Sequence, residues 1–70
     1  MKFAERLREL REERNLSQVQ LAKLTGISQA GIAHWENQQR VPNANVVVLL
    51  ADFFEVTTDY LLGREESTKV

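Results

Sequence analysis

Apolar residues recur along this chain every three or four positions and do not alternate with polar ones. That period predicts helices throughout and no strand, hence an all-α domain. Phe3, Leu7 and Leu10 stand at helical spacing with charges around them, which predicts a first helix over about Lys2–Arg14. Asn15 tolerates the left-handed region and is placed to stop that helix before Leu16. Ser17 and Ser28 are good N-caps, because a serine hydroxyl accepts from an orphan N–H of the first turn. Between them Leu21, Ala22 and Leu24 supply an apolar face, and Gly26 sits where the chain must reverse with a positive φ. Ile27 and Ile32 return to the core, and the third helix ends near Glu36 or Asn37. Asn37 to Asn43, with Pro42 inside, reads as a polar loop. Asn43 or Asn45 then caps a fourth helix running to about Phe54, and Thr57 caps a short fifth ending at Gly63. Five helices over 1–63 and a polar tail over 64–70 complete the plan.

The fourth helix carries two apolar stripes. Val47, Leu50, Ala51 and Phe54 form the one expected to face the core, together with Ile32, Trp35 and Leu61. Val46, Leu49 and Phe53 form the other, turned about 100° away on the helical wheel. Two readings of the second stripe stand side by side. Helix 5 and the loop cover it within one molecule, or Val46, Leu49 and Phe53, with Tyr60 and Leu62 of helix 5, form a two-fold homodimer.

Composition narrows the chemistry. The 70 residues contain no cysteine and one histidine, so neither a disulfide framework nor a metal site is expected, and no cofactor is implied. Neither paired carboxylates in a pocket nor a nucleophile beside a base is suggested, which argues against an enzyme. The N-terminus turns charged at once and the longest apolar run, Val46 to Ala51, is far too short to cross a bilayer. A soluble cytoplasmic protein is the expectation. The formal net charge is −1.

The segment Ser17–Glu36 is the informative one. A capped helix, a glycine turn and a second capped helix make a helix-turn-helix unit, one helix of which can lie in the major groove of DNA. Around it the chain resembles the phage repressor and Cro-type helix-turn-helix family, also called the xenobiotic-response-element type. The residues that carry the resemblance are Leu7-Arg8-Glu9-Leu10-Arg11, Leu16-Ser17-Gln18, Leu21-Ala22, Gly26-Ile27-Ser28-Gln29, Ile32, Trp35-Glu36-Asn37, Pro42, Leu50-Ala51, Phe54 and Asp59-Tyr60-Leu61-Leu62-Gly63. They span roughly Phe3 to Gly63. The resemblance implies a compact five-helix repressor-like domain and a transcriptional regulator, commonly a dimer on a palindromic double-stranded operator. Gln38-Gln39 stand where family members often have Gly-Lys, and no Arg or Lys lies between Ser28 and Gln39.

With helix 3 as the reader, its leading residues Ser28, Gln29 and Ala30 meet base edges, and Ala33 and His34 follow one turn on. Gln29 is the foremost candidate, since a glutamine amide pairs bidentately with adenine N6 and N7, while Ala30 suits a thymine methyl. Ser17 and Gln18 open helix 2, where free N–H groups favour an anion, and Gln18 resembles the family glutamine that clamps a phosphate. Asn37 and Arg40 follow helix 3 and could hold the same strand. Arg11 and Glu36 resemble the family's partly buried ion pair between helices 1 and 3, with Arg11 also a possible phosphate contact. Gly31 serves either close approach to DNA or tight contact with helix 2. The leading function is therefore sequence-specific operator binding by a regulator or repressor. The alternative on the same fold is an antitoxin-like or coactivator-like protein-interaction module that reads few bases.

Overall fold

The structure, a computed structural model, describes residues 2–38 and 40–64, with the side chain of Gln38 excepted. Five helices follow one another: α1 (Lys2–Glu13), α2 (Gln18–Thr25), α3 (Gln29–Gln38), α4 (Ala44–Phe54) and α5 (Thr58–Leu61). This is the all-α plan expected from the periodicity, with α3 running slightly beyond Asn37. Gln39, the Gln38 side chain and residues 65–70 of the tail lie outside the described residues.

Each boundary has a local cause. α1 stops because Asn15 takes φ 56°, and Leu16 N–H then donates back to Arg11 O at 3.1 Å. Ser17 caps α2 by accepting from Gln20 N–H at 3.0 Å, and the Gln20 side chain returns the bond to Ser17 N–H at 2.8 Å. This reciprocal pair satisfies two donors that the first turn leaves free. Gly26, at φ 79°, ends α2 with its N–H on Ala22 O at 2.8 Å. Ser28 opens α3 by accepting from Gly31 N–H at 3.0 Å. Of the two asparagines that could open α4, Asn43 does so, accepting from Val46 N–H at 3.0 Å. Glu55 ends α4 in the left-handed region at φ 59°, and Val56 N–H reaches back to Ala51 O at 2.9 Å. The seal at that end is apolar, since Val56 is buried.

α3 packs against both α1 and α2, while α5 packs against α1 and α4, and α4 against α2. Phe3, Leu7 and Leu10 of α1, Leu21 of α2, Ile32 of α3, Val47, Leu50, Ala51 and Phe54 of α4, Val56 and Leu61 form one core. Leu24 departs from the sequence expectation. It is 61% exposed, so the apolar face of α2 is Leu21 with partly covered Ala22, and Ile27 is only partly covered too. Eight residues turn fewer than three times, and a third apolar position three residues after Leu21 points past the core edge. Trp35 lies against the core partly covered. Gly31 is not explained by α2: a Cβ there would come within 3.0 Å of Ser28 Oγ and 3.4 Å of the Trp35 ring, both on the α3 side.

The two left-handed glycines separate strain from sterics. At Gly26 a Cβ would meet nothing within 4 Å. Gly26→Ala should therefore cost only the left-handed penalty, about 1 kcal/mol. At Gly63, φ 80°, an added Cβ would run into the Lys2 side chain at its Cβ. Urea unfolding should show Gly63→Ala to be the more destabilising of the pair, and equal losses would mean that the α1–α5 contact yields freely.

Candidate nucleic-acid interface

Glu36 sits on the inner side of α3, its side chain 0% exposed, and Arg11 reaches it from α1 with only 12% of its own side chain exposed. The contact is bidentate: Arg11 Nε donates to Glu36 Oε2 at 2.8 Å and Nη2 to Oε1 at 3.0 Å. The remaining Arg11 nitrogen, Nη1, donates to Leu16 O at 2.8 Å, in the turn before α2. The ion pair expected from the resemblance is thus present in the fold. The phosphate contact expected of Arg11 finds little support in this geometry, because all three guanidinium nitrogens are engaged inward.

Burial pushes the Glu36 carboxyl up. The hydrogen bonds from Arg11 and Gln18, with the charges of Arg11 and Arg8, outweigh it and hold the group below its usual value. The same bond to Glu36, opposed by burial, raises Arg11 above its ordinary value. Both remain charged at neutral pH.

The network continues outward. Gln18, the first residue of α2, donates through Nε2 to Glu36 Oε1 at 3.1 Å, and its Oε1 accepts from Gln29 Nε2 at 3.3 Å. Gln18 and Gln29 were expected to do separate work, one on phosphate and one on a base; they are in fact joined. Arg8 lies one helical turn before Arg11. Its Nε is 3.6 Å from Glu36 Oε1, its Nη2 donates to Asn37 Oδ1 at 3.4 Å, and 49% of its side chain is exposed. Sequence reasoning passed over Arg8, although its three-residue spacing from Arg11 puts both on one face of α1.

Ser28, Gln29, Ala30 and His34 are exposed and Ala33 half so; Gln29 lies at the leading end of the face that carries Ile32 and Glu36 further along α3. Ser17 is exposed at the start of α2, and Asn37 and Arg40 are exposed at and beyond the end of α3. Charge is segregated along the chain in a way that the overall balance hides. From Arg14 to Ala51 the cations are Arg14, Lys23 and Arg40, and the one carboxylate is Glu36, which is buried and paired. The helix-turn-helix unit therefore offers no exposed carboxylate to repel a phosphate. The acidic excess comes from Asp52 onward.

The residues expected at a dimer interface divide. Val46, Phe53, Tyr60 and Leu62 are partly buried against their own core. The Phe53 and Phe54 rings meet edge to face at 5.0 Å with Arg14 over both, and Arg6 lies 4.2 Å above the Tyr60 ring. Leu49 stays 42% exposed, and Val41 and Val48 are exposed in comparable measure.

A capped helix, a left-handed glycine turn and a second helix braced from behind by a buried ion pair define a helix-turn-helix protein. The chain belongs to the helix-turn-helix family, whose model matches residues 7–61. It is 41% identical over 66 residues to the HTH-type transcriptional activator BcrR of Enterococcus faecalis, covering 94% of this chain and 32% of that protein. It is 42% identical over 62 residues to the HTH-type transcriptional regulator AnsR of Bacillus subtilis, covering 89% and 53%. Repressor protein C2 of Salmonella phage P22 is 33% identical over 65 residues, covering 93% and 30%. The chain thus spans from about a third to just over half the length of these curated relatives. Among the described residues no helix is long and apolar enough to cross a membrane.

Removing one partner of the buried pair strands the other. Arg11→Ala should cost about 3 kcal/mol in urea unfolding at pH 7. Because the folded Glu36 value is depressed, its contribution is complete above the unfolded value of about 4.5 and fades as pH falls through the lower folded value. The stability gap between wild type and Glu36→Gln should narrow as pH drops below that value. A gap that stays constant to acid pH would show that the charge on Glu36 contributes nothing.

Proposed function

We propose that this chain binds double-stranded DNA sequence-specifically and regulates transcription, as a cytoplasmic repressor that occupies promoter DNA. The leading turn of α3 enters the major groove, with Ser28, Gln29, Ala30, Ala33 and His34 toward the base edges. One observation carries this reading. Gln29 stands exposed at the tip of α3, yet is tied through Gln18 to a bidentate ion pair whose carboxylate is fully buried. A side chain that only faced solvent would need no such support. A base reader needs it, since specificity depends on a donor and an acceptor held in place before contact.

Ser17 and Gln18 at the start of α2, with Asn37 and Arg40 after α3, take the flanking phosphates, and Arg8 joins them from α1. The family likeness to proteins named as transcriptional regulators, an activator and a phage repressor among them, supports the same conclusion. Occupancy of the DNA is the whole of the mechanism, and no chemical step is required.

The domain measures 27 × 22 × 20 Å along its principal axes. Successive major-groove faces lie about 34–36 Å apart, so one copy fills one half-site and a palindromic operator takes two. Leu49 on the outer side of α4 is the exposed member of the stripe through which the copies meet, with Val46, Phe53, Tyr60 and Leu62 around it.

Selection from a random oligonucleotide pool should return a two-fold repeated motif. Gln29→Ala should then relax preference at one base pair of each half-site by about 1–3 kcal/mol. Arg40→Ala should weaken all duplexes alike and flatten the salt slope by about one. Binding to random duplex that hardly changes between low and high salt would favour a protein-interaction module and sink the reading. Sedimentation at tens of micromolar should show a self-association that Leu49→Glu abolishes. If wild type and Leu49→Glu are both monomers there, and both bind the operator with the same cooperativity, α4 is not the interface.

A further inference from the structure

The hydrogen bonds around Glu36 run in one direction. An ionised carboxylate accepts and never donates, whereas each glutamine amide has a donor end and an acceptor end of nearly the same shape. Gln18 must therefore turn its NH2 toward Glu36, as it does at 3.1 Å. Its carbonyl oxygen is left for Gln29, whose own NH2 donates to it at 3.3 Å. Turning Gln18 over would set oxygen against the carboxylate and NH2 against NH2. Glu36 thus decides which way round two amides stand, although the hydrogen-bonded path from it to Gln29 runs through Gln18.

We propose that Glu36 is a positioning residue for base reading: through Gln18 it fixes the Gln29 amide with its carbonyl oxygen outward. This rests on the reading that Gln29 enters the major groove. Adenine offers a donor, the N6 amino group, where guanine offers the acceptor O6. An amide locked oxygen-outward pairs with the first and meets the second oxygen to oxygen. The lock therefore works chiefly against the wrong base, as specificity through repulsion requires. Arg8 and Arg11 keep the Glu36 end of the chain charged and acceptor-only.

Glu36→Gln tests this in the full chain, because a carboxamide has a donor end as well as an acceptor end and no longer obliges Gln18 to turn its NH2 inward; its folding is checked first, since Arg11 loses its ionic partner. Affinity is compared on folded protein for both operators, so that a general loss and a loss of preference are read separately. Affinity for the operator carrying guanine in place of adenine at the Gln29-dependent base pair should rise. The adenine preference should fall about tenfold, equivalent to about 1.4 kcal/mol. A merely structural loss would weaken every duplex together. Gln18→Ala, which leaves the Arg11–Glu36 pair intact, should lower the same preference and guards against misfolding of the first variant. In the free protein, the Gln29 side-chain amide resonances should move in Glu36→Gln. Gln29→Ala leaving all operator variants equally bound would refute the reading on which the proposal rests. Gln29→Ala erasing the adenine preference, while Glu36→Gln and Gln18→Ala both keep it and leave those resonances unmoved, would overturn the relay alone.

Discussion

A carboxylate with no exposed surface is tolerable only when charge and donors meet it from several sides, and in this small domain they come from separate helices. Arg11 of α1 takes both Glu36 oxygens, and Gln18 of α2 takes one of them as well. Satisfying Glu36 therefore fixes how α1, α2 and α3 stand relative to one another, which hydrophobic contact alone does loosely. Apolar packing supplies most of the driving force and tolerates small slides; a forked guanidinium on a carboxylate does not. The third Arg11 bond, to Leu16 O, extends that control to the chain just before α2 begins.

From this arrangement follows the division of α3 into two sides. Ile32 and Glu36, one turn apart, face inward, one into the core and one into the ion pair. Trp35 leans on the core, and Ser28, Gln29, Ala30, His34 and, in part, Ala33 are left accessible. What they present there is amide, imidazole, hydroxyl and two methyl groups, with no lysine, arginine or carboxylate among them. On the proposed reading, affinity for a polyanion comes from the rim, from Arg8, Arg40 and the amide-rich start of α2, and α3 supplies discrimination.

The helices, the left-handed stops at Asn15 and Gly26 and most of the core were legible in the residues, because period and caps are local signals. The ion pair was legible only through family resemblance, since nothing in a sequence says that positions 11 and 36 meet. The bond between Gln18 and Gln29 was not legible at all: each glutamine alone reads as an ordinary polar surface residue. Two further features escape a local reading, each for its own reason. Leu24 is apolar and in register, but a two-turn helix has too little length to bury a third position. Glu55 holds a left-handed backbone that glutamate rarely adopts, in the turn between α4 and the buried Val56. Arg14 lies across Phe53 and Phe54 and 3.7 Å from Glu55, so the turn after α1 covers that corner.

Ala30 stands apart from this web. It is exposed in the leading turn of α3, and a methyl group makes no polar bond to the domain that carries it. A polar side chain of good helix propensity placed there would break no side-chain bond of the folded domain. At Gln29 the opposite holds, for a change there breaks a bond that runs back to the interior. A substitution at Ala30 thus costs the domain no side-chain bond, whereas one at Gln29 removes a contact that leads back to the buried ion pair.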